Sequence, residues 1–261
     1  MKKPIPSLGG KTFSVSTLRD MIPYHNSYIE VFGGGATLLF AKTISFKEIY
    51  NDLDSLLYNF FMVLRDRPAE FYDKLLNTPL AREMFDKYKA HFRAGRLIFP
   101  QRLYESDDID RAVYYYLVKR LSFGNKCQSL NFQKTSSSAR MIAADCENFS
   151  NRLRNVLIEN SNYDYIFDTY DEQDAFFYCD PPYHQTGGAY IECWPWDHHL
   201  KLRARIGNLK GRWLLSYNDH PDIRKLYDGF NIYQIKTRFT IDKSSKNGLE
   251  VYDLAITNYK A

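Results

Sequence analysis

The chain is predicted to fold as one α/β domain assembled from both of its ends, with a mostly helical segment inserted between them. Three observations predict this. Short apolar runs alternate with stretches of helical periodicity near the N-terminus. Between about 66 and 155 the pattern turns to helices rich in charge and tyrosine. Beyond that segment the strand and helix alternation returns. Residues 1–65 and 156–261 are therefore expected to form the α/β domain, and 66–155 the insertion.

Taken in order, Tyr28-Ile29-Glu30-Val31-Phe32 reads as a short buried strand ended by Gly33-Gly34-Gly35, with a helix over Ala36–Lys42. Glu48-Ile49-Tyr50 is a second strand. The run from Asp54 to Arg65 carries Leu56, Leu57, Phe60, Phe61 and Leu64 at helical spacing. This βαβα pattern implies a parallel sheet with helices on its faces. Ala69–Leu76, Ala81–Arg93 and Asp108–Leu121 read as helices, and the polar stretch from Ser122 to Ala144 as a loop. Val156–Glu159, Ala175–Cys179, Arg212–Tyr217, Asn231–Ile235 and Val251–Thr257 read as strands, with helices over Asp197–Asn208 and Pro221–Tyr227.

The 261 residues suffice for one large domain, or a domain with an insertion. A hydrophobic content of 44% and a charged content of 25% belong to a soluble globular chain. No run of about 18 apolar residues offers a membrane span. The N-terminus lacks an apolar signal core, so a cytoplasmic location is expected. Cys127, Cys146, Cys179 and Cys193 form no Cys-x-x-Cys pair, and adjacent His198-His199 cannot share a helical face. Neither set has zinc-ligand spacing, so no metal is expected. A net charge of +4 permits nucleic-acid binding without demanding it.

Chemistry concentrates at Asp180-Pro181-Pro182-Tyr183, directly after the apolar run Ala175–Cys179. An acid closing a buried strand, then two prolines and an aromatic, builds a rigid corner. It presents a carboxylate, prolyl carbonyls and a flat ring, the groups that hold a planar base by its exocyclic amine. An ordinary strand-ending turn uses the same residue types. Phe32-Gly33-Gly34-Gly35 follows a strand and opens a helix, where glycines let a ligand approach the backbone. A tight turn explains them equally. Asp52 ends the next strand at roughly the spacing from the glycines at which an acid reaches ribose hydroxyls. It is also a candidate helix N-cap, as is Asp54. No phosphate-cradling glycine loop is present, and Glu30 beside the turn suits a cationic ligand. S-adenosylmethionine, with its ammonium, sulfonium and ribose, fits these groups better than a dinucleotide.

Gly9-Gly10-Lys11, Glu30 to Gly35, Asn51-Asp52 and Asp180 to Tyr183, in that order, resemble the Dam-like, D12 class of DNA adenine N6-methyltransferases. The similarity extends to Gly211–Asp219 and Leu254–Tyr259 and leaves the middle of the chain largely unmatched. It implies a Rossmann-like S-adenosylmethionine-dependent methyltransferase domain carrying an inserted target-recognition domain, with double-stranded DNA as partner. A cognate restriction endonuclease is compatible with the family but not required. By resemblance Lys11, Glu30, Phe32, Gly33, Gly34, Gly35 and Asp52 contact S-adenosylmethionine, while Asn162 and Tyr163 lie near its adenine and Asp180 borders both ligands. Asp180, Pro181, Pro182 and Tyr183 form the catalytic corner. Departures from the family pattern are Asn162 in place of an acid, Val31 in place of proline, and Ser7 in place of an aromatic. Lys119, Arg120, Asn125, Lys126 and Gln128 are candidate groove contacts. Lys236, Arg238, Lys243 and Lys246 are candidates for phosphates. The alternatives are a homologue that binds DNA with weakened catalysis, or a methyltransferase acting on cytosine N4, a protein amide or RNA adenine.

Overall fold

A computed structural model of the chain describes residues 3–6, 11, 14–97, 108–122, 129–131, 140–184, 194–237 and 251–261. Its strands are β1 (Ser27–Glu30), β2 (Lys47–Asn51), β3 (Val156–Glu159), β4 (Ala175–Cys179), β5 (Arg212–Asn218), β6 (Asn231–Thr237) and β7 (Val251–Thr257). Its first helices are α1 (Val15–Asp20), α2 (Thr37–Ala41), α3 (Ser55–Asp66), α4 (Pro68–Asn77) and α5 (Arg82–Leu97). They are followed by α6 (Asp108–Leu121), α7 (Ala143–Leu153), α8 (Tyr163–Tyr170), α9 (Trp196–Ile206) and α10 (Pro221–Leu226). None is long and apolar enough to cross a membrane. The chain divides into two compact units. Gly9–Asn51 and Ser161–Ala261 make up most of the first, and Asp52–Asn160 most of the second.

In the first unit six strands form a mixed sheet in the order β2-β1-β4-β5-β7-β6. Every residue of β1 and β4 is buried, as expected of parallel strands covered on both faces. Ile29 pairs with Ile49 on one side and Phe177 on the other, and Phe177 pairs in turn with Trp213. Helical residues Ile166, Phe167, Leu202, Ile206 and Ile223 pack into the same core.

The expectation of a parallel sheet holds for β1, β2, β4 and β5 but not for the C-terminal strands. β7 runs antiparallel to both β5 and β6 and lies between them, with Leu215 opposite Ile256 and Ile232 opposite the same residue. Antiparallel neighbours need no helical crossover, so β6 and β7 can pair without one. After β1 the chain leaves toward β2, while β4 takes the other side of β1. The carboxyl ends of β1 and β4 therefore border the crevice in which open α/β sheets bind ligands.

Among its described residues the second unit is helical apart from β3 and an isolated antiparallel bridge between Ser122 and Leu130. Phe60 of α3 stacks on Tyr116 of α6, with centroids 6.1 Å apart and planes 10° apart, and Phe71 of α4 meets the same ring edge-on. Asp54, rather than Asp52, caps α3, accepting the amides of Leu56 and Leu57 at 3.0 and 3.4 Å. Helices α1, α7 and α8 were not anticipated. In α7 the buried positions Cys146, Phe149, Ser150 and Leu153 have helical spacing, but a polar residue and a cysteine among them mask the signal.

Candidate active site

Asp180 leaves the end of β4 and is fixed from two directions. Ser216 of β5 donates to its Oδ1 at 2.6 Å, and Lys11 Nζ lies 3.1 Å from the same oxygen. Tyr178 Oη is 3.2 Å from Ser216 Oγ. A serine has one hydrogen, here directed to the carboxylate, so the tyrosine is the donor in that contact. The order Tyr178 to Ser216 to Asp180 thus holds Oδ1. Oδ2 of Asp180 and the carbonyl of Pro181 have no partner among the described residues.

Lys11 is 6% exposed and serves two carboxylates, since its Nζ also lies 3.3 Å from Asp253 Oδ2. The ammonium sits 4.2 Å from the centroid of the Tyr183 ring, a cation–π distance. Tyr183 Oη donates to Asp253 Oδ2 at 3.1 Å. Burial raises the pKa of Asp253; Lys11 opposes that shift and Asp180 adds to it. One buried cation therefore links both carboxylates, and Asp253 holds the phenol end of Tyr183.

At the end of β1, Gly33 donates its amide to the Asn51 carbonyl at 2.8 Å. A Cβ on Gly33 would fall 2.1 Å from Cε2 of the buried Tyr50, whose hydroxyl donates to the Gly34 carbonyl at 2.7 Å. Gly34 has φ +51°, and Ala36 also adopts a left-handed conformation, so the turn is tight before α2 begins. Ala36 has no capping side chain. Glu30 supplies the missing acceptor from the strand: its Oε2 takes the amide of Leu39, in the first turn of α2, at 3.0 Å and the hydroxyl of Tyr28 at 2.9 Å. Burial raises the Glu30 pKa to about 8; those hydrogen bonds counter it, and Asp180 adds to it. Asn51 ties three segments, donating to the carbonyls of Val31 and Ser161 at 2.8 and 3.0 Å and accepting the Ser161 amide at 2.9 Å.

Phe32 is partly buried within an aromatic group. Its ring lies 5.7 Å from both Tyr163 and Trp194, tilted to the first and edge-on to the second. Asn162 caps α8 by accepting the amide of Tyr165 at 2.9 Å. In the second unit, Asp52 Oδ1 accepts the amide of Asp54 at 2.8 Å, and its own amide reaches the Glu159 carbonyl at 3.4 Å. On α6, Arg120 Nε donates to Tyr116 Oη at 3.1 Å and Lys119 lies over Tyr115. Asn125, Lys126, Gln128, Arg238, Lys243, Lys246, Ser7, Gly9 and Gly10 lie outside the described residues.

The fold thus brings Lys11, Asp180 and Tyr183 into one network, and Phe32 and Tyr163 into one aromatic group. Sequence reasoning missed Ser216, Asp253 and Trp194. The first two carried a readable signal, each being a polar residue next to a leucine of an inner strand, Leu215 and Leu254.

An α/β sheet with a fixed acid at one strand end and a glycine turn at its neighbour belongs to the class of open sheets that bind a ligand at the strands' carboxyl ends. The model of the D12 class N6 adenine-specific DNA methyltransferases matches residues 7–241, and the chain belongs to that family. The type II methyltransferase M.CviBI of Paramecium bursaria Chlorella virus NC1A is 26% identical, covering 99% of this chain and all of that protein. M1.LlaDCHI of Lactococcus lactis subsp. cremoris is 26% identical over 96% of this chain and 93% of its own length. M.MjaIII of Methanocaldococcus jannaschii is 25% identical over 96% of both chains.

Proposed function

We propose that this protein transfers a methyl group from S-adenosylmethionine to N6 of an adenine extruded from duplex DNA. The observation that carries the reading is Asp180, with one carboxylate oxygen fixed by Ser216 and Lys11 and the other without a partner among the described residues. An adenine inside a duplex cannot present N6, so the base must leave the stack. Tyr183 then stacks on it, a contact worth about 1–3 kcal/mol. Asp180 Oδ2 and the Pro181 carbonyl accept the two N6 hydrogens, which aims the nitrogen lone pair. Positive charge develops on N6 during transfer, and a carboxylate already in place stabilises it at that moment. Hydrogen bonds to charged groups contribute about 1.5–3 kcal/mol. In-line positioning therefore has to supply much of the remainder. No metal is required, and the proton leaves N6 after transfer, through Asp180 to solvent.

S-adenosylmethionine supplies an electrophilic methyl group. The residues at the β1 end suit it: Phe32, Tyr163 and Trp194 offer faces and edges to a purine, and the space beside Gly34 is open to the backbone, whereas that beside Gly33 is filled by Tyr50. In this reading Lys11, Glu30, Gly33, Gly34, Gly35 and Asn162 line the donor's surroundings and Asp52 takes its ribose hydroxyls. The inserted segment, expected over 66–155, reads the DNA, with Lys119 and Arg120 among its contacts. A cytoplasmic location accords with DNA as substrate.

The test is transfer of labelled methyl from S-adenosylmethionine to unmethylated duplex DNA, with the digested nucleosides separated. Label in N6-methyl-2′-deoxyadenosine, abolished by Asp180→Ala, is the expected result. Label in N4-methylcytosine or in RNA alone overturns the substrate, and binding without transfer points to a recognition protein.

A further inference from the structure

The histidines have no metal-ligand spacing in the sequence, yet the fold brings two of them to one carboxylate. His184 directly follows Tyr183, while His220 and Asp222 flank Pro221 at the start of α10. His184 Nε2 lies 3.3 Å and His220 Nδ1 3.5 Å from Asp222 Oδ2. One ligand atom from each of the three falls within 4.8 Å of the others. Zinc bonds of about 2.0–2.2 Å to nitrogen and oxygen set tetrahedral ligands roughly 3.3–3.5 Å apart. Both histidine–carboxylate edges already have that length, and only the edge between the two imidazoles must close.

We propose that His184, His220 and Asp222 form a binding site for a divalent transition ion of the zinc class. Two imidazoles and a carboxylate are a borderline-soft donor set, which suits zinc and cobalt(II) and disfavours magnesium or calcium. The side chains are graded in exposure, 13% for His184, 26% for His220 and 53% for Asp222, so a fourth position faces solvent. The His184 ring is backed by Trp196 at 4.8 Å between centroids, which limits its swing. His220 Nδ1 accepts the Asp222 amide at 3.2 Å, a long bond that an ion at that nitrogen replaces.

The location gives the site a consequence. The His184 carbonyl accepts from Asn218 at 3.1 Å, and Asn218 sits opposite Asp253 in the sheet. A bound ion ties the residue after Tyr183 to the β5–α10 connection, and so braces the corner that begins at Asp180.

Titration of the full chain with Co²⁺ alone tests the proposal. One equivalent should bind with the intense visible absorption of tetrahedral cobalt, and Zn²⁺ should displace it. Loss of outer partners of metal ligands weakens metals about 10–100-fold. His184→Ala, His220→Ala and Asp222→Asn should each therefore cost at least about tenfold in affinity. Asp222→Asn keeps side-chain volume and the amide bonded to His220, so it remains informative if a histidine variant fails to fold. Absence of saturable binding, affinity unchanged in these variants, or a sulfur-to-cobalt charge-transfer band overturns the proposal. The titration contains neither DNA nor methyl donor, so its outcome is independent of the methyl-transfer reading.

Discussion

Replacing Glu30 with glutamine should flatten the pH dependence of stability. Glu30 is 2% exposed, and its pKa rises from an ordinary 4.5 to about 8 through burial. Above pH 4.5 the unfolded chain releases this proton while the folded protein retains it. Stability therefore falls as pH rises from 4.5 toward 8, by at most about 1.4 kcal/mol per pH unit, and levels off beyond. Across the whole window the loss is at most roughly 5 kcal/mol, and relaxation of the buried site reduces it to about 2–5 kcal/mol. Glutamine keeps an acceptor for Tyr28 and Leu39 but has no proton to lose in this range. It adds buried amide hydrogens, which lower stability by a roughly constant 1–3 kcal/mol at every pH. His199 acts with the opposite sign: burial lowers its pKa to about 4, so it costs stability as pH falls below 6.5. That contribution is common to both proteins and cancels in their difference. Urea unfolding between pH 5 and 8.5 gives the comparison, and fluorescence reports the relevant unit because Trp194, Trp196 and Trp213 all lie in it. Parallel stability curves for the two proteins would refute the reasoning.

Gly33→Ala places a methyl group 2.1 Å from a ring that is buried and held through its hydroxyl. It should lower unfolding free energy by about 1–3 kcal/mol, measured by denaturant midpoint. Asp253→Asn leaves the Lys11 charge with one carboxylate and weakens the Tyr183 anchor. By the proposed function it should lower kcat about 10–100-fold, as expected for a charged hydrogen bond, and Asp253→Glu should not restore it in a site this closed. Phe32→Ala removes one wall of the aromatic group and should raise the KM for S-adenosylmethionine about tenfold with little change in kcat. An unchanged KM would remove Phe32 from the donor site.

The sequence was most readable where function and fold coincide. Ala175–Cys179 is continuous apolar chain because β4 is covered on both faces, and the acid that ends it must sit at the sheet's carboxyl edge. Asn51 and Asp52 were legible as the end of a strand, but not the division of labour between them. Asn51 cross-links Val31 and Ser161, and Asp54 performs the capping that Asp52 equally suggested. Glu30 was legible as an acid beside the glycines, but not as the acceptor for the uncapped α2. That role depends on a strand residue reaching across to a helix, and local pattern does not encode it. The antiparallel β7 was hidden for the same reason, since strand direction follows from which neighbours pair.

Ser216 and Asp253 show what a reading of motifs leaves out. Ser216 is buried between Leu215 and Tyr217, and Asp253 is partly buried beside Leu254; a polar side chain taken out of water there costs stability unless it is paired. The partners are Asp180 for Ser216, and Lys11 and Tyr183 for Asp253. Neither strand needs such a residue for its own packing, since Leu215 and Leu254 beside them fill the core. Apart from the Tyr178 hydroxyl on Ser216, the partners that offset this cost belong to the corner that the two strands flank or to Lys11 beside it. The proposed catalytic corner is thus specified by the strands beside it as much as by Asp180-Pro181-Pro182-Tyr183. A transplanted tetrad without Ser216, Asp253 and Lys11 should fold as a turn yet leave its acid and ring free to rotate.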